Sequence, residues 1–326
     1  MKLIIQIPCL NEAETLPATV RDLPRSIPGV DVIEYLVIDD GSDDATVEVA
    51  RSIGVHHILS LGSNRGLARA FSAGIEYALE QGADIVVNTD ADNQYRGSDI
   101  GKLVRPILEN RAEVVVGCRP IIDHPEFGAL KKGLQLLGSW TLRQLSKTRV
   151  RDAASGFRAY SRNACLRTFI YSRFSYTMES LIQAGTSGLR VRSVDIQVNP
   201  KTRDSRLFSS IAQYVRKSGG TMIAMFVLYR PGVFFSSLAT LFLVAALGLG
   251  ARYLSLVTFS PGVEAPGSHL ASLVLLAICA LVGFLLVMVA ILAELIRFQR
   301  RITEENLFQL RIQKYAGVGR GVRRAA

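Results

Sequence analysis

The chain has 326 residues, a formal net charge of +10 at pH 7 and a mean hydropathy of +0.25, which is high for a soluble protein. This length leaves room for two domains, or for one domain with an appendage. The positive charge fits a protein that lies on an anionic membrane surface and handles phosphates. Nucleic acid is disfavoured as a partner, because the basic residues concentrate towards the apolar C-terminal part. The four cysteines have neither paired nor metal-binding spacing, which argues against a disulfide framework and a zinc site.

Short apolar runs alternate with amphipathic segments along the first part of the chain. The predicted strands are 2–7, 32–38, 56–60, 85–87 and 113–117. Pro8 is expected to stop the first strand, and Asn11 to cap a helix that starts at Glu12. Because strands that alternate with helices form βαβ crossovers, the prediction is an α/β domain with a mostly parallel, covered sheet.

Two acidic residues, Asp90 and Asp92, follow the strand 85–87. Alternate residues of an extended segment point the same way, so both carboxylates face one site at the carboxyl edge of the sheet, where open α/β sheets bind ligands. Such a pair favours a cation with oxygen ligands, Mg²⁺ or Mn²⁺; an acidic turn after the strand is the alternative. Asp40 follows the second strand and is expected at the same edge, where it either binds a base or ribose or caps a helix.

Glycine-rich dinucleotide-binding and P-loop motifs are missing from the sequence. Two acidic clusters at successive strand ends, without a phosphate-cradling glycine loop, favour a nucleotide diphosphate that a metal ion bridges to the protein.

Two segments, 233–251 and 270–293, carry no charged residue. Each is long enough to cross a hydrocarbon core of about 30 Å at about 1.5 Å per residue. Lys and Arg flank the pair on its outer sides, whereas the connecting segment 253–269 has neither. The positive-inside rule then predicts an integral protein of the cytoplasmic membrane, with the N-terminal domain and both termini cytoplasmic.

Four regions follow from these patterns. They are a catalytic domain over 1–206, amphipathic interfacial helices over 207–231, a two-helix transmembrane hairpin over 232–296 and a basic cytoplasmic tail over 297–326. A two-span anchor also leaves open a homo-oligomer in the membrane.

The chain contains seven motifs whose order and spacing resemble those of the family 2 glycosyltransferases. They are IPCLNE (7–12), DDGSDDAT (39–46), NRG (64–66), DADNQ (90–94), GCR (117–119), DAASGFR (152–158) and RDSRLF (203–208). The likeness covers about 1–210 and is greatest to membrane enzymes of the dolichol-phosphate mannose synthase and polyprenyl-phosphate glycosyltransferase kind. It implies a GT-A fold and an inverting transfer from a nucleotide-sugar, UDP- or GDP-linked, to a polyprenyl phosphate.

The resemblance also implies roles for individual residues. Nucleotide-binding roles carry over to Pro8, Glu12, Asp39, Asp40 and Asp90, and metal ligation to Asp90, Asp92 and Gln94. Asn93 stands where a Leu is common in the mannose synthases, so the match is to the group rather than to that enzyme.

The acceptor phosphate needs cationic groups to approach a negatively charged donor. The resemblance carries this role to Arg119 and Arg203, while Arg206, Lys131 and Lys132 are candidates by position and charge. The alternative for the two lysines is a solvated helix face.

Four further residues, Asp152, Ser155, Arg158 and Glu179, complete the predicted site, whose catalytic members are Asp92, Arg119 and Asp152. Asp152 is either a general base or the residue that orients Arg158; the second is favoured, because a phosphate acceptor is already a nucleophile at pH 7. Ser155 and Arg158 belong to the predicted sugar or acceptor loop. Glu179 either contacts sugar hydroxyls or stabilises a helix N-terminus.

Two other functions remain open at this stage. A polysaccharide synthase with a hydroxyl acceptor is disfavoured, because its Gln-x-x-Arg-Trp motif is missing and the only tryptophan, Trp140, follows Ser139. A catalytically silent membrane scaffold is disfavoured, because it would be expected to have lost Asp40, Asp90 and Asp92.

Overall fold

The computed structural model describes residues 1–120, 148, 150–171, 176–199, 220, 223–224, 226–259 and 268–317. The chain divides into two compact units. The first comprises Met1–Met222 together with Glu304–Ala326, and the second comprises Ile223–Thr303.

The first unit alternates strands and helices, as predicted. Its strands are β1 (Lys2–Cys9), β2 (Val32–Asp39), β3 (His57–Ser60), β4 (Ile85–Asn88), β5 (Val114–Cys118), β6 (Arg158–Ser161) and β7 (Val191–Asp195). Its described helices are α1 (Leu16–Asp22), α2 (Thr46–Ser52), α3 (Leu67–Glu80), α4 (Ile100–Leu108), α5 (Arg162–Arg167) and α6 (Tyr176–Thr186).

The strands form one sheet in the order β3-β2-β1-β4-β6-β5-β7. Every neighbouring pair is parallel except those that include β6, which runs antiparallel between β4 and β5. The predicted mostly parallel sheet is therefore confirmed. The first strand continues past Pro8 to Cys9, because Pro8 lies beyond Gln6, the last residue of β1 that pairs with β4. A proline is tolerated where a strand has lost one neighbour.

Helices cover both faces of the sheet. On one face the alternate residues Leu3, Ile5 and Ile7 of β1 join a buried core with residues of α1 and α4. On the other face α3 approaches β1 and β2 closely at Gly74, where a side chain would overlap Gln6 and Ile38. Because β1 is buried on both faces, its sequence is apolar almost throughout rather than alternating.

The second unit contains helix α7 (Pro231–Phe259) and most of helix α8 (Ser268–Tyr315). Both are long and apolar enough to cross a membrane, and only 11% of the most apolar window of each is buried. Within this unit the helices pack closely at Gly283, where a β-carbon would lie 2.7 Å from a methyl group of Leu243. The predicted spans lie inside these helices, but α8 continues as a helix well beyond residue 293.

The last turns of α8 belong to the first unit and pack on α3 and α5. The Arg311 guanidinium donates hydrogen bonds to the Thr168 carbonyl (2.8 Å) and the Glu76 carboxylate (2.7 Å), and it lies 4.2 Å from the centre of the Phe169 ring. Lys314 pairs with Glu80 at 3.0 Å. The predicted basic tail, 297–326, is therefore helical as far as Tyr315, and its part from Glu304 onwards belongs to the first unit.

Candidate active site

The loops after the parallel strands β1, β2, β3 and β4 meet at the carboxyl edge of the sheet. Asn11, in the loop after β1, joins that loop to the loop after β2 through both its backbone and its side chain. Its backbone N–H donates to Ser42 Oγ at 3.0 Å, and its side-chain oxygen accepts from the Asp43 N–H at 2.8 Å. Asn11 has a φ of 56°, and α1 begins only at Leu16. The prediction that Asn11 caps a helix at Glu12 is therefore wrong, because its side chain bonds to a different loop.

Asp39 and Asp40 hold the second loop and the loop that follows β3. Asp39 accepts from the Ser42 N–H and from Ser60 Oγ, each at 2.9 Å. The two carboxylate oxygens of Asp40 accept from the Arg65 N–H (2.8 Å) and the Gly66 N–H (2.9 Å). A carboxylate has about four acceptor sites, so Asp40 retains capacity for a ligand donor.

Gly41 brings these two loops into contact. Its φ is +80°, and a β-carbon there would lie 2.5 Å from the Ser63 carbonyl carbon and 2.6 Å from the Asn64 nitrogen. A side chain would therefore collide with backbone, which is harder to displace than the end of a flexible side chain. The remaining predicted nucleotide residues, Pro8 and Glu12, are both buried nearby, and the Glu12 carboxylate accepts from Thr15 Oγ1 at 2.7 Å.

The Asp-x-Asp turn follows β4 directly. Asp90 is partly buried, and burial together with the negative charges of Asp92 and Glu12 raises its pKa to about 7, against the opposing effect of Arg119. Asp92 accepts a hydrogen bond from the Gln94 N–H at 3.1 Å, across a turn in which Asn93 has a φ of 55°.

This turn is the best candidate for a cation site. Clusters of three or more His, Cys, Asp or Glu arranged for a metal do not occur among the described residues. The candidate ligands are thus the carboxylates of Asp90 and Asp92, with the Gln94 amide. Two neighbouring carboxylates repel each other, and a cation between them relieves that repulsion, so this donor set of oxygen ligands fits Mg²⁺ or Mn²⁺.

Arg119 and Asp152 form an ion pair beside this turn. Arg119 follows β5, and its Nε and a terminal nitrogen donate to the two Asp152 oxygens at 2.7 and 3.1 Å. The side chains are only 13% and 1% exposed. Burial by itself would lower the pKa of Arg119, but Tyr95, Asp152 and Asp90 together raise it above its ordinary value, so the guanidinium stays charged.

Arg158 lies in the interior instead. Its side chain is fully buried and donates to the carbonyls of Ala153 (2.7 Å), Ser155 (2.8 Å) and Thr177 (2.6 Å), and to Ser180 Oγ (2.9 Å). The prediction that Asp152 orients Arg158 is therefore wrong. Asp152 pairs with Arg119, whereas Arg158 ties the 152–157 loop to α6.

Ser155 and Glu179 are also fully buried. Ser155 Oγ accepts from the Phe157 N–H at 3.3 Å, inside the loop. The Glu179 carboxylate accepts from the Tyr171 N–H at 3.2 Å. The remaining predicted residues, Lys131, Lys132, Arg203 and Arg206, lie outside the described residues, as does most of 207–231.

A buried polar cluster behind Asp90 was missed by the sequence reasoning. Its members are Gln6, Asn88, Tyr95, Gly156 and Tyr176, and their side chains or backbone groups are joined by hydrogen bonds. Gln6 and Asn88 gave a signal, because each is a polar residue in an otherwise apolar strand. The two tyrosines gave none, since an aromatic residue in a core pattern is ordinarily interpreted as packing.

Known proteins resemble both the sequence and this fold. The profile of Glycosyl transferase family 2 matches residues 4–169. The chain is 30% identical over 220 residues to the UDP-N-acetylglucosamine–dolichyl-phosphate N-acetylglucosaminyltransferase of Methanococcus voltae, covering 59% of this chain and 83% of the relative. It is also 30% identical over 169 residues to the undecaprenyl-phosphate mannosyltransferase of Micrococcus luteus, covering 49% of this chain and 66% of the relative.

The fold matches glucosyl-3-phosphoglycerate synthase from Mycobacterium tuberculosis, solved in complex with Mn²⁺, UDP and glucosyl-3-phosphoglycerate. The TM-score is 0.53 at 20% identity, over 69% of this chain and 78% of that one. The predicted GT-A architecture, with two apolar helices after the domain, is confirmed. This chain belongs to glycosyltransferase family 2.

Proposed function

We propose that the protein transfers a sugar from a UDP- or GDP-sugar to the phosphate of a membrane polyprenyl phosphate, with inversion at the anomeric carbon and on the cytoplasmic face. The observation that carries this proposal is the meeting of the Asp-x-Asp turn and the Arg119–Asp152 pair at one sheet edge. The same chain has two helices of membrane-spanning length. The names of the Methanococcus and Micrococcus relatives, both of which state a polyprenyl-type lipid phosphate, support the acceptor class.

The donor is expected at the loops that follow β1, β2 and β4. Asp40 and Glu12 would bind the nucleoside, with Asp39 holding the loop from which Asp40 extends. Asp90, Asp92 and Gln94 would hold Mg²⁺ or Mn²⁺, which would offset the negative charge that grows on the departing diphosphate. A structural neighbour bound to both Mn²⁺ and UDP supports this use of a divalent ion.

The chemistry is a single displacement. An oxygen of the acceptor phosphate attacks the anomeric carbon, the bond from that carbon to the β-phosphate oxygen breaks, and the nucleoside diphosphate leaves with the bonding electrons. A phosphate monoester has a second pKa near 6, so at pH 7 it needs no general base. Asp152 is therefore assigned to holding Arg119 in place rather than to removing a proton.

Charge balance calls for more cations than Arg119 alone. Asp152 already neutralises Arg119, while the donor diphosphate and the acceptor phosphate are both anionic. Arg203, Arg206, Lys131 and Lys132 are proposed to supply the remaining positive charge. The Lys and Arg residues that flank the two long helices support a cytoplasmic location for this chemistry, by the positive-inside rule.

The decisive experiment is transfer of labelled sugar into organic-extractable lipid. The purified full chain would receive a panel of nucleotide-sugars, a polyprenyl phosphate and Mn²⁺ or Mg²⁺, with and without EDTA. One donor that labels the lipid in an EDTA-sensitive manner is the expected result. Slow hydrolysis of one donor without lipid labelling would overturn the acceptor assignment. Silence with every donor, together with no nucleotide binding, would favour the scaffold.

A further inference from the structure

The backbone at Gly156 lies against the carboxylate of Asp90. A β-carbon built on Gly156 would lie 3.2 and 3.6 Å from the two Asp90 carboxylate oxygens. The same β-carbon would lie only 2.6 Å from the Tyr176 hydroxyl oxygen, which is closer than real β-carbons approach. A residue larger than glycine therefore does not fit at position 156 without displacing the Tyr176 hydroxyl or the Asp90 carboxylate.

Hydrogen bonds hold the Gly156 backbone at this distance. The Asn88 amide nitrogen donates to the Gly156 carbonyl (3.0 Å) and towards the Tyr176 hydroxyl (3.2 Å). Gln6 donates to the Asn88 side-chain oxygen at 2.9 Å, which fixes the orientation of that amide. On the other side, the Gly156 N–H donates to the Tyr95 hydroxyl at 3.3 Å. Both polar groups of the glycine backbone are therefore bonded.

The two tyrosines cannot easily move aside. The Tyr176 ring stacks on Phe71 with centroids 4.3 Å apart, and the Tyr95 ring stacks on Phe157 at 4.9 Å with an angle of 6°. Tyr176 and Tyr95 are 3% and 5% exposed. A closely packed interior transmits the displacement of one side chain to its neighbours rather than absorbing it.

We propose that Gly156 is a positioning residue for the cation site: its backbone, held by Asn88 and walled by Tyr176, sets where the Asp90 carboxylate lies. This inference rests on the proposed function, in which Asp90 ligates a divalent ion. A methyl group at position 156 would push either the tyrosine or the carboxylate. The carboxylate is the more easily displaced of the two, because Asp90 is only partly buried, whereas Tyr176 is buried and stacked on Phe71.

The test measures Mn²⁺ binding by electron paramagnetic resonance, in the presence of nucleoside diphosphate, on the purified full chain. Gly156→Ala should weaken Mn²⁺ binding by about 10- to 100-fold, the usual effect of disturbing a group that orients a metal ligand. Gly101→Ala is the matched control, because a β-carbon there meets nothing within 4 Å and the residue is helical. It should bind Mn²⁺ as the unsubstituted protein does.

A second substitution distinguishes a steric effect on the Mn²⁺ site from a general loss of structure. Tyr176→Phe removes the oxygen that lies 2.6 Å from the new β-carbon. Gly156→Ala with Tyr176→Phe should therefore recover a large part of the Mn²⁺ affinity that Gly156→Ala loses, measured against Tyr176→Phe as the reference. Equal affinities for the single Gly156→Ala variant and the double variant would overturn the steric account.

Asn88→Ala keeps the inference testable if Gly156→Ala does not fold. It removes the bond to the Gly156 carbonyl without adding an atom, and it should also weaken Mn²⁺ binding. Unchanged affinity in folded variants at both positions would overturn the inference and leave the proposed function standing. Absence of Mn²⁺ binding by the unsubstituted protein would overturn the metal assignment of the proposed function and, with it, this inference.

Discussion

The Arg119 side chain donates two hydrogen bonds to the Asp152 carboxylate and its backbone N–H donates a third, although 33 positions separate the two residues in the chain. The pair links the end of β5 to the loop that precedes β6, beside the Asp-x-Asp turn. These hydrogen bonds fix the orientation of the Arg119 guanidinium.

Removal of one partner should destabilise the fold. Asp152→Ala leaves a buried guanidinium unpaired, at a cost of about 3–5 kcal/mol, so the melting temperature should fall clearly. The double variant Arg119→Met with Asp152→Ala should recover much of that loss. Arg151→Ala is the control, because its 2.7 Å pair with Asp195 is 57% and 77% exposed and should contribute little. Equal melting temperatures for Asp152→Ala and Arg151→Ala would contradict this prediction.

The role of Asp152 can be separated from that of a general base. Asp152→Asn keeps a hydrogen-bond acceptor for Arg119 but cannot take a proton. We expect the KM for lipid phosphate to rise more than kcat falls, because positioning of the acceptor is weakened while its nucleophile is intact. Steady-state kinetics with varied acceptor measure both. A loss of kcat by about 10²- to 10⁴-fold, with KM unchanged, would instead identify a base.

Asp92 should be needed for transfer but not for folding. Asp92→Ala removes one of the two carboxylates of the turn, so we expect activity to fall by at least about 100-fold while the melting temperature hardly changes. Asp84→Asn is the control from the opposite end of the same strand, where Asp84 accepts from the Lys2 N–H at 2.9 Å. Near-normal turnover by Asp92→Ala, or an equal loss in both variants, would contradict the metal assignment.

Alanine substitutions at Gly41 and Gly54 distinguish the effect of backbone strain from that of a steric clash with neighbouring backbone. Both have positive φ, +80° and +74°, so alanine costs about 1–2 kcal/mol at either position. Only at Gly41 would the β-carbon also strike backbone, 2.5 Å from Ser63, whereas at Gly54 it meets nothing within 4 Å. Gly41→Ala should therefore raise the KM for nucleotide-sugar, and Gly54→Ala should not. Donor-dependent kinetics decide between them, and similar KM values would remove Gly41 from the donor site.

Arg311 should anchor the last turns of α8 to the catalytic unit. Its side chain is 15% exposed and reaches the carbonyls at the end of α5, which attract a cation, as well as Glu76. Arg311→Ala should cost about 2–3 kcal/mol, visible as a lower melting temperature and faster proteolysis near the C-terminus. Lys314→Ala is the control, because its side chain is 57% exposed and its pair with Glu80 is screened by water. Indistinguishable proteolysis of the two variants would contradict the docking.

The class of fold, the Asp-x-Asp turn and the two long apolar helices could all be predicted from the sequence. Each of these features follows from a local pattern. Apolar runs of strand length predict the sheet, acidic residues directly after a run predict the turn, and uncharged segments of membrane-spanning length predict the long helices. Each depends on neighbours within a few residues, so each can be read without knowing which parts of the chain meet. The family motifs then added the residue roles, because their order along the chain is itself specific.

The pairing of side chains, in contrast, could be identified only in the folded structure. Asp152 could have met Arg158, six positions away, or Arg119, 33 positions away, and no periodicity records that choice. The antiparallel β6 between β4 and β5 explains it: Arg158 begins that strand, inside the core, while the loop before it passes the end of β5. The same topology brings Gly156 to Asp90, through contacts that no local pattern in the sequence encodes, since they join groups far apart in the chain.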